Sequence, residues 1–229
     1  MLENVEIRGW PNQKLIIELK YLVHLTELSI YDCENLESFP DNELPNLTSL
    51  KNLEIVNCRS MEASFPRGIW PPNLCSLSIG KLKKPILEWG PQNFPTSLVN
   101  LRLFGGDDGV SSCSQLSLLL PSSLTSLHII KFEKLESVSM GLQHLTSLQV
   151  LSFFNCRSLK ELSHPQHLTS LQHLFIQECP NMMDLPEMIL PSLLSLQIIL
   201  CPKLKERWSK TGSHWPLISH IPRIDIWGS

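Results

Sequence analysis

One spacing of apolar residues recurs along almost the whole of this 229-residue chain. Two leucines stand three positions apart, a third apolar residue follows two positions later, and a cysteine often follows three positions after that. The stretches "LQVLSFFNC" at 148–156 and "LQHLFIQEC" at 171–179 show this pattern most clearly. Counting a partial copy at each end, ten copies occur at intervals of about two dozen residues, and eight are full. A repeat of this extent constrains the fold more strongly than composition does.

The repeated unit L-x-x-L-x-L-x-x-C-x-x-L is the signature of a leucine-rich repeat. Side chains alternate along a strand, so the closely spaced apolar pair faces inward and the residue between faces outward. Because no single unit can bury its leucines alone, the units must stack. The sequence therefore predicts one elongated α/β solenoid over residues 1–229, a horseshoe with a parallel concave β-sheet and about ten repeats. Its expected parts are a partial repeat at 1–14, full repeats at about 15–206 and a capping segment at 207–229.

The segments between the expected strands favour short, non-helical returns. Several of them carry proline shortly before the next strand, as in "LPSSL" and "FPTSL". Proline lacks an amide donor and disfavours helix at the residue before it. We therefore expect a convex side that is mostly irregular or 3₁₀, with Leu15–Val23 as the best candidate for a helical turn.

Five cysteines occupy the same place in the repeat, where the chain leaves the strand and turns. They are Cys33, Cys58, Cys156, Cys179 and Cys201. A row of side chains there can hydrogen-bond to turn backbone that has no sheet partner, so we interpret these thiols as a structural turn row. Zinc binding would need four converging ligands and a nucleophile would need an exposed, electropositive setting; one thiol per coil favours neither. Cys75 and Cys113 lie off this row, and Cys113 is expected to be the most exposed thiol.

Motifs for catalysis are absent, which argues against an enzyme. The sequence contains no phosphate-binding loop, no nucleophile elbow and no H-E-x-x-H pair. The cluster "GGDDG" at 105–109 and the pair His164 and His167 are expected to be solvent-facing loops rather than metal sites. No cofactor is expected.

Charge and cysteine usage restrict the compartment and the partners. A net charge of −3, with no basic stripe, argues against nucleic acid as a partner. There is no secretory signal, and no apolar run is long enough to span a membrane. Seven cysteines without a secretion signal indicate reduced thiols and a cytoplasmic location.

The outward positions of the strands are where a partner could be recognised. The first coils are acidic and polar there, with Glu27, Asp32 and Glu54 close together in the pattern. Later coils carry aromatic and aliphatic residues, which on a concave sheet suggest a protein contact. The predicted partner-binding residues are Arg102, Phe104, His128, Ile130, Phe154, Phe175, Gln177 and Ile199. A loop or domain of the same polypeptide could equally cover them.

The last repeats resemble a known family of proteins. "LTSLQHLFIQECPNMMDLPE", "LPSLLSLQIILCPKLKERW" and the ending "GSHWPLISHIPRIDIWGS" are similar to the C-terminal leucine-rich-repeat region of plant intracellular nucleotide-binding disease-resistance proteins of the coiled-coil class. The resemblance implies recognition of a pathogen effector or a guarded host protein, and autoinhibitory packing on a nucleotide-binding domain. No phosphate-binding loop precedes the repeats, so nucleotide switching is not carried over.

Two further expectations concern the chain as a whole. Because it begins inside a repeat, we expect a fragment or truncated product with an open first strand edge, which favours self-association. The alternative to an immune receptor is a repeat scaffold of another class, such as a substrate-recruiting subunit of a ubiquitin ligase. Such a subunit normally has an adaptor-binding helical domain ahead of its repeats.

Overall fold

The computed structural model describes residues 2–10, 21–37, 44–61, 70–106, 108–138, 141–162 and 167–228. They form two compact units, residues 1–104 and residues 105–229. Most of Leu15–Val23, together with Asp107 and His164, lies outside the described residues, so those expectations stay predictions. The assignment of the chain to a single domain also stays a prediction.

The described residues of each unit form five strands of five residues. In the first unit they are β1 Asn4–Arg8, β2 Glu27–Tyr31, β3 Asn52–Val56, β4 Ser76–Gly80 and β5 Asn100–Phe104. In the second they are β6 Ser126–Ile130, β7 Val150–Phe154, β8 His173–Gln177, β9 Ser195–Ile199 and β10 Arg223–Trp227. Within each unit every strand pairs in parallel with the next one along the chain.

The strands align one repeat with the next, residue for residue. Leu151 on β7 pairs with Leu174 on β8, which pairs with Leu196 on β9, and all three are at most 1% exposed. The second inward position stacks in the same way and places Phe153 beside Ile176. Parallel pairing needs a long crossover, and each repeat supplies one. The predicted leucine-rich-repeat solenoid with a parallel sheet is confirmed.

A left-handed residue follows most of the strands. In the part of the chain that the structure describes, the non-glycine residues with positive φ are Asp32, Asn57, Lys81, Lys131, Asn155, Glu178 and Leu200, with φ between 53° and 60°. The backbone N–H groups of all but Lys81 donate to the next coil: Lys131 donates to the Phe154 carbonyl at 2.8 Å and Asn155 to that of Gln177 at 2.9 Å. The turns are therefore hydrogen-bonded from one coil to the next. These hydrogen bonds keep the backbone left-handed even at residue types that rarely adopt this conformation.

Replacing Lys131 by asparagine is expected to raise the free energy of unfolding by about 0.5 kcal/mol, because asparagine tolerates the left-handed conformation better than lysine does. Lys131 is exposed, so little packing changes. Urea denaturation measures the difference. Lys51→Asn is the matched control, since Lys51 is also exposed but lies outside the left-handed set. Equal stabilities for the two variants would contradict the prediction.

The described parts of the return segments are mostly irregular and contain short 3₁₀ helices. Helices of this type cover Leu44–Asn46, Ile86–Glu88, Cys113–Leu119 and Glu187–Ser192. Before β4, β5 and β6 the amide of the leading leucine donates to a proline carbonyl three residues earlier, as Leu98 does to Pro95 at 3.0 Å. This agrees with the prediction of an irregular and 3₁₀ convex side.

Two α-helices lie between β9 and β10. Helix α1 covers Pro202–Trp208 and α2 covers Trp215–Ile218. Trp208 has no exposed surface, and its ring lies 4.9 Å from that of His214, centroid to centroid. Arg207 forms a 2.8 Å ion pair with Asp184, and the Lys205 ammonium donates to the Gly228 carbonyl at 2.7 Å. These contacts fix the last strand onto the repeats.

Candidate partner-binding face

The outward face is defined by the first, third and fifth residues of each five-residue strand. The second and fourth residues of nearly every strand are buried, so the other three positions point away from the core. In-register pairing places equal positions of neighbouring strands side by side. The outward face is therefore a grid of three rows crossing the strands.

In the first unit, polar side chains bond to each other across the coils. Asn52 donates its amide to Glu27 at 2.9 Å, and the Ser78 hydroxyl donates to Glu54 at 3.1 Å. In the turn beyond the strands, the Asn57 amide donates to Asp32 at 2.7 Å. The predicted acidic cluster is therefore engaged by neutral donors from the next coil, which stabilises the stack and leaves fewer groups for a partner.

Two of the predicted partner-binding residues lie on β5 of the first unit. Arg102 is exposed and Phe104 is half-buried. Phe104 pairs with Gly80 on β4 and approaches it so closely that a Cβ at Gly80 would collide with the Phe104 carbonyl oxygen. Gly80 and its neighbour Val56 are themselves buried. The fifth-position row is therefore buried at the two positions immediately upstream of Phe104.

The other six predicted residues lie in the second unit. His128, Ile130, Phe154, Phe175 and Gln177 are half-buried, so each presents some surface. Phe154 is aligned with Gln177, which is aligned with Ile199, so the three are neighbours in one row. His128 shares a 2.9 Å hydrogen bond with the Ser126 hydroxyl. Ile199 is only 5% exposed and offers a partner very little, contrary to expectation.

A pocket of about 500 Å³ opens on the outward face of β7–β10. Its lining consists of Val150, His173, Phe175, Leu194, Ser195, Gln197, Arg223 and Asp225. We call it the notch. Of the residues predicted to bind a partner, only Phe175 lies in it.

The notch has an aromatic wall and a charged wall. The aromatic wall on β8 consists of His173 and Phe175, whose rings are parallel within 2° at a centroid separation of 6.3 Å. Arg223 and Asp225 form the charged wall on β10, two strands away. Between them lies β9, which contributes the small side chain of Ser195. A short side chain flanked by longer ones in the same row produces the depression.

Sequence reasoning missed most of this pocket. The predicted residues come from the third and fifth positions of the strands, whereas Val150, His173, Ser195 and Arg223 occupy the first. The repeat alignment contained a signal for the pocket: at the first strand position, the small Ser195 lies between the larger His173 and Arg223. A concave, mostly pre-formed site with a few converging polar groups is the usual form of a binding site.

The cysteine row makes hydrogen bonds of the predicted kind. Each of the five thiols donates to the carbonyl two residues earlier, at 3.2 to 3.7 Å. Four of them also lie 3.6 to 3.9 Å from a carbonyl of the preceding coil. All five are at most 1% exposed. The row closes the turns from inside the protein, which agrees with a structural role.

The exposure of the two remaining cysteines is the reverse of the prediction. Cys113 is fully buried rather than exposed, whereas Cys75 is half-buried. Cys113 begins the 3₁₀ helix Cys113–Leu119, capped by Ser112, and its amide donates to the Ser137 carbonyl at 3.2 Å. The expected surface loop is therefore folded onto the next coil, and the exposure prediction for Cys113 was wrong.

Burial and hydrogen bonding make four of the thiols poor acids by raising their pKa. Burial raises the pKa of Cys58 from 9.0 to about 11 and that of Cys113 to about 12. For Cys179 a hydrogen bond with Cys156 is the main cause that raises the pKa, to about 12. Hydrogen bonding with Cys179, followed by burial, raises the pKa of Cys201. Thiols of this kind are weak nucleophiles near neutral pH.

The free energy of unfolding is expected to fall as pH rises above about 9. Cys58, Cys113 and Cys179 keep their protons in the folded state up to about pH 11 to 12, whereas unfolded thiols lose them near 9.0. The unfolded state therefore binds fewer protons in this window, and the contribution is fully present below it. Urea denaturation across the window should give a shallower decline for Cys113→Ala than for the unchanged chain. An equally steep decline would contradict the prediction.

Neither a metal site nor a membrane-spanning helix is found in the part of the chain that the structure describes. No three or more histidine, cysteine, aspartate and glutamate side chains in it are grouped to hold a metal ion. No described helix is both long enough and apolar enough to cross a membrane.

Comparisons with known proteins agree with the repeat assignment. No family profile matches the chain. A protein of Arabidopsis thaliana that is named a disease resistance protein is 28% identical over 207 residues, which cover 89% of this chain but only 13% of that protein. The chain thus spans about an eighth of this relative's length.

Solved structures with low sequence identity show the same fold. The leucine-rich-repeat domain of the type III effector XopL superposes with a TM-score of 0.60 at 19% identity, covering 97% of this chain and 75% of that one. An internalin, InlF of Listeria monocytogenes, gives a TM-score of 0.44 at 16% identity, with coverages of 98% and 73%. The first likeness shows the leucine-rich-repeat fold and nothing about activity.

Proposed function

We propose that this chain is the protein-interaction module of a plant intracellular immune receptor. Its partners are a pathogen effector or a guarded host protein and, for autoinhibition, the nucleotide-binding domain of the parent receptor. The observation that carries this proposal is the outward face of the second unit, where Phe154 and Phe175 are only half-buried and Phe175 lines the notch. Accessible aromatic side chains on a rigid sheet are typical anchors of protein interfaces.

The immune assignment has support from sequence. The last repeats resemble those of coiled-coil disease-resistance proteins, and the Arabidopsis relative carries a disease-resistance name. Effector recognition and autoinhibition are binding functions that need no catalytic group, so we propose no enzymatic activity. Such a receptor would act in the cytoplasm, where its cysteines would stay reduced.

Replacing both Phe154 and Phe175 by glutamate is expected to weaken partner binding at least about tenfold, because buried aromatic anchors contribute most of an interface's affinity and a carboxylate is poorly tolerated there. Binding can be measured by pull-down of the upstream receptor domains and of candidate effectors, followed by titration of the captured partner. Leu118→Glu is the matched control, because Leu118 is apolar and 69% exposed but lies on a return helix.

Two outcomes would contradict the proposal. If both partner binding and autoinhibition of the reconstituted receptor are unchanged in the double variant, the outward face of the second unit is not the binding surface. If the chain instead captures components of a ubiquitin ligase, the alternative scaffold function replaces the immune one. A loss of binding caused by Leu118→Glu would place the surface on the return segments.

A further inference from the structure

We propose that the notch on β7–β10 receives a neutral aromatic side chain with a hydrogen-bonding group, tyrosine or tryptophan, from a protein partner. The proposal deepens the protein-binding function proposed above and rests on it. It assigns a recognition role to residues outside the predicted binding set, chiefly His173, Ser195, Arg223 and Asp225.

The aromatic wall favours a flat, apolar group. The parallel rings of His173 and Phe175 stack along β8, and His173 is aligned with Ser195 on β9, so two aromatic side chains border the space above Ser195. Val150 and Leu194 add aliphatic surface to the lining. β8 and β10 are two strand spacings apart, about 10 Å, which leaves room for a ring between their side chains. Offset and edge-to-face contacts between aromatic rings are favourable beyond the area they bury.

The charged wall disfavours a charged occupant. Arg223 and Asp225 are two residues apart on one strand, so both side chains lie on the outward face. An incoming carboxylate would be attracted by Arg223 and repelled by Asp225. An incoming cation would be repelled by Arg223 and attracted by Asp225. The electrostatic effects of the two side chains on an ion therefore oppose each other. Their hydrogen-bonding groups remain available to a neutral group that both donates and accepts hydrogen bonds.

Three polar side chains that line the notch have no side-chain partner among the described residues. The described residues offer no side-chain hydrogen bond or ion pair to Arg223, Asp225 or Gln197, in contrast to Glu27 and Glu54 of the first unit. A tyrosine hydroxyl or a tryptophan N–H would satisfy Asp225 or Gln197, and the Arg223 guanidinium can lie over the incoming ring. The combination of an aromatic wall, free donors and acceptors and zero net charge selects an amphipathic aromatic residue.

A nucleobase is also flat, neutral and polar. The phosphates that accompany it in a nucleic acid need several cations, and the notch supplies one arginine next to one aspartate. An aromatic residue of a polypeptide carries no such charge. We therefore commit to a protein partner and include a nucleoside in the test.

The test uses the complete 229-residue chain, labelled with ¹⁵N, and five short capped peptides. The peptides are acetyl-Gly-Gly-X-Gly-Gly-amide with X as tyrosine, tryptophan, arginine, glutamate or alanine, and adenosine is the sixth probe. We expect the tyrosine and tryptophan peptides to shift the amide signals of β8–β10 with millimolar affinity, at least about fivefold tighter than the arginine, glutamate and alanine peptides and no more weakly than adenosine. Ser195→Phe, which fills the notch, should abolish these shifts.

A matched variant makes the result specific to the notch. Ser76→Phe places the same side chain at the same strand position of the first unit, and binding should be unchanged. The proposal is overturned if the arginine or glutamate peptide binds as tightly as the tyrosine peptide, if adenosine binds more tightly, if no probe shifts the signals at about 10 mM, or if Ser195→Phe still binds. Because the probes need no natural partner, this failure is distinct from a failed partner pull-down, which would contradict the proposed function itself.

Discussion

Replacement of Gly80 by alanine is expected to lower the free energy of unfolding by about 3 kcal/mol. Gly80 ends β4 with a φ of +154°, a conformation that other residues rarely adopt. Its added Cβ would also collide with the carbonyl oxygen of Phe104 on the adjacent strand. That oxygen belongs to the backbone of β5, which is paired with β4, so the collision can be relieved only if β4 and β5 separate locally. Chemical denaturation of the purified chain measures the loss.

Gly90→Ala separates the two causes of this loss. Gly90 also has a positive φ, +69°, but a Cβ there would meet nothing within 4 Å. Only the conformational cost remains, and we expect a loss of about 1 kcal/mol. If both substitutions lower stability equally, the close approach of β5 to β4 is not what requires glycine at position 80.

Replacement of Trp208 by alanine is expected to lower the free energy of unfolding by about 4 kcal/mol. The indole has no exposed surface and packs against the His214 ring. Its removal leaves a large cavity beneath the two helices that precede β10. Thermal and urea unfolding, with a probe of β10 such as hydrogen exchange, should show the C-terminal end opening first.

Trp208→Phe is expected to lose only about 1 kcal/mol. A phenyl ring keeps most of the packing volume. The indole N–H is buried and has no hydrogen-bond partner among the described residues, so its loss removes an unfavourable buried donor. A loss as large as that of the alanine variant would mean that the indole N–H makes an interaction important for stability.

The strands were predictable because every coil presents the same environment to the same residue types. Leu151 and Leu174 occupy equivalent positions, and each is buried by the leucine of the next repeat. Local spacing then suffices to specify which residues are inward, since a parallel stack in register has a single consistent alignment. The thiol row followed from the same periodicity.

Cys113 shows where this reasoning fails. Its neighbours "GVSSCSQ" are polar and small, which is typical of a surface loop. Its burial depends on contacts outside the repeat: the bridge of Ser112 to Ser137 and the packing of Gly141 against the Cys113 carbonyl. These contacts join residues more than 20 positions apart in an interval longer than the usual repeat, so no local pattern indicates them.

The candidate site was only partly predictable for a different reason. The repeat identified which positions face outward, and Phe175 was predicted correctly to face that way. Whether an outward group is available depends on side-chain reach across three strands. Glu54 is engaged by Ser78, whereas Asp225 has no such neighbour, and the two look alike in the sequence.

Because the strands are aligned residue for residue, a single substitution can change one position of the outward face and leave the neighbouring positions as they are. Substituting Gln197 or Asp225 changes the side chain at one outward position without altering the buried leucines of the same strands. Duplicating an entire coil within a unit would add one strand to the sheet. The strands beyond it would move by one strand spacing, about 4.8 Å, and keep their arrangement relative to each other. New specificities can thus arise by single exchanges or by whole-coil insertion, with little cost to the scaffold that carries them.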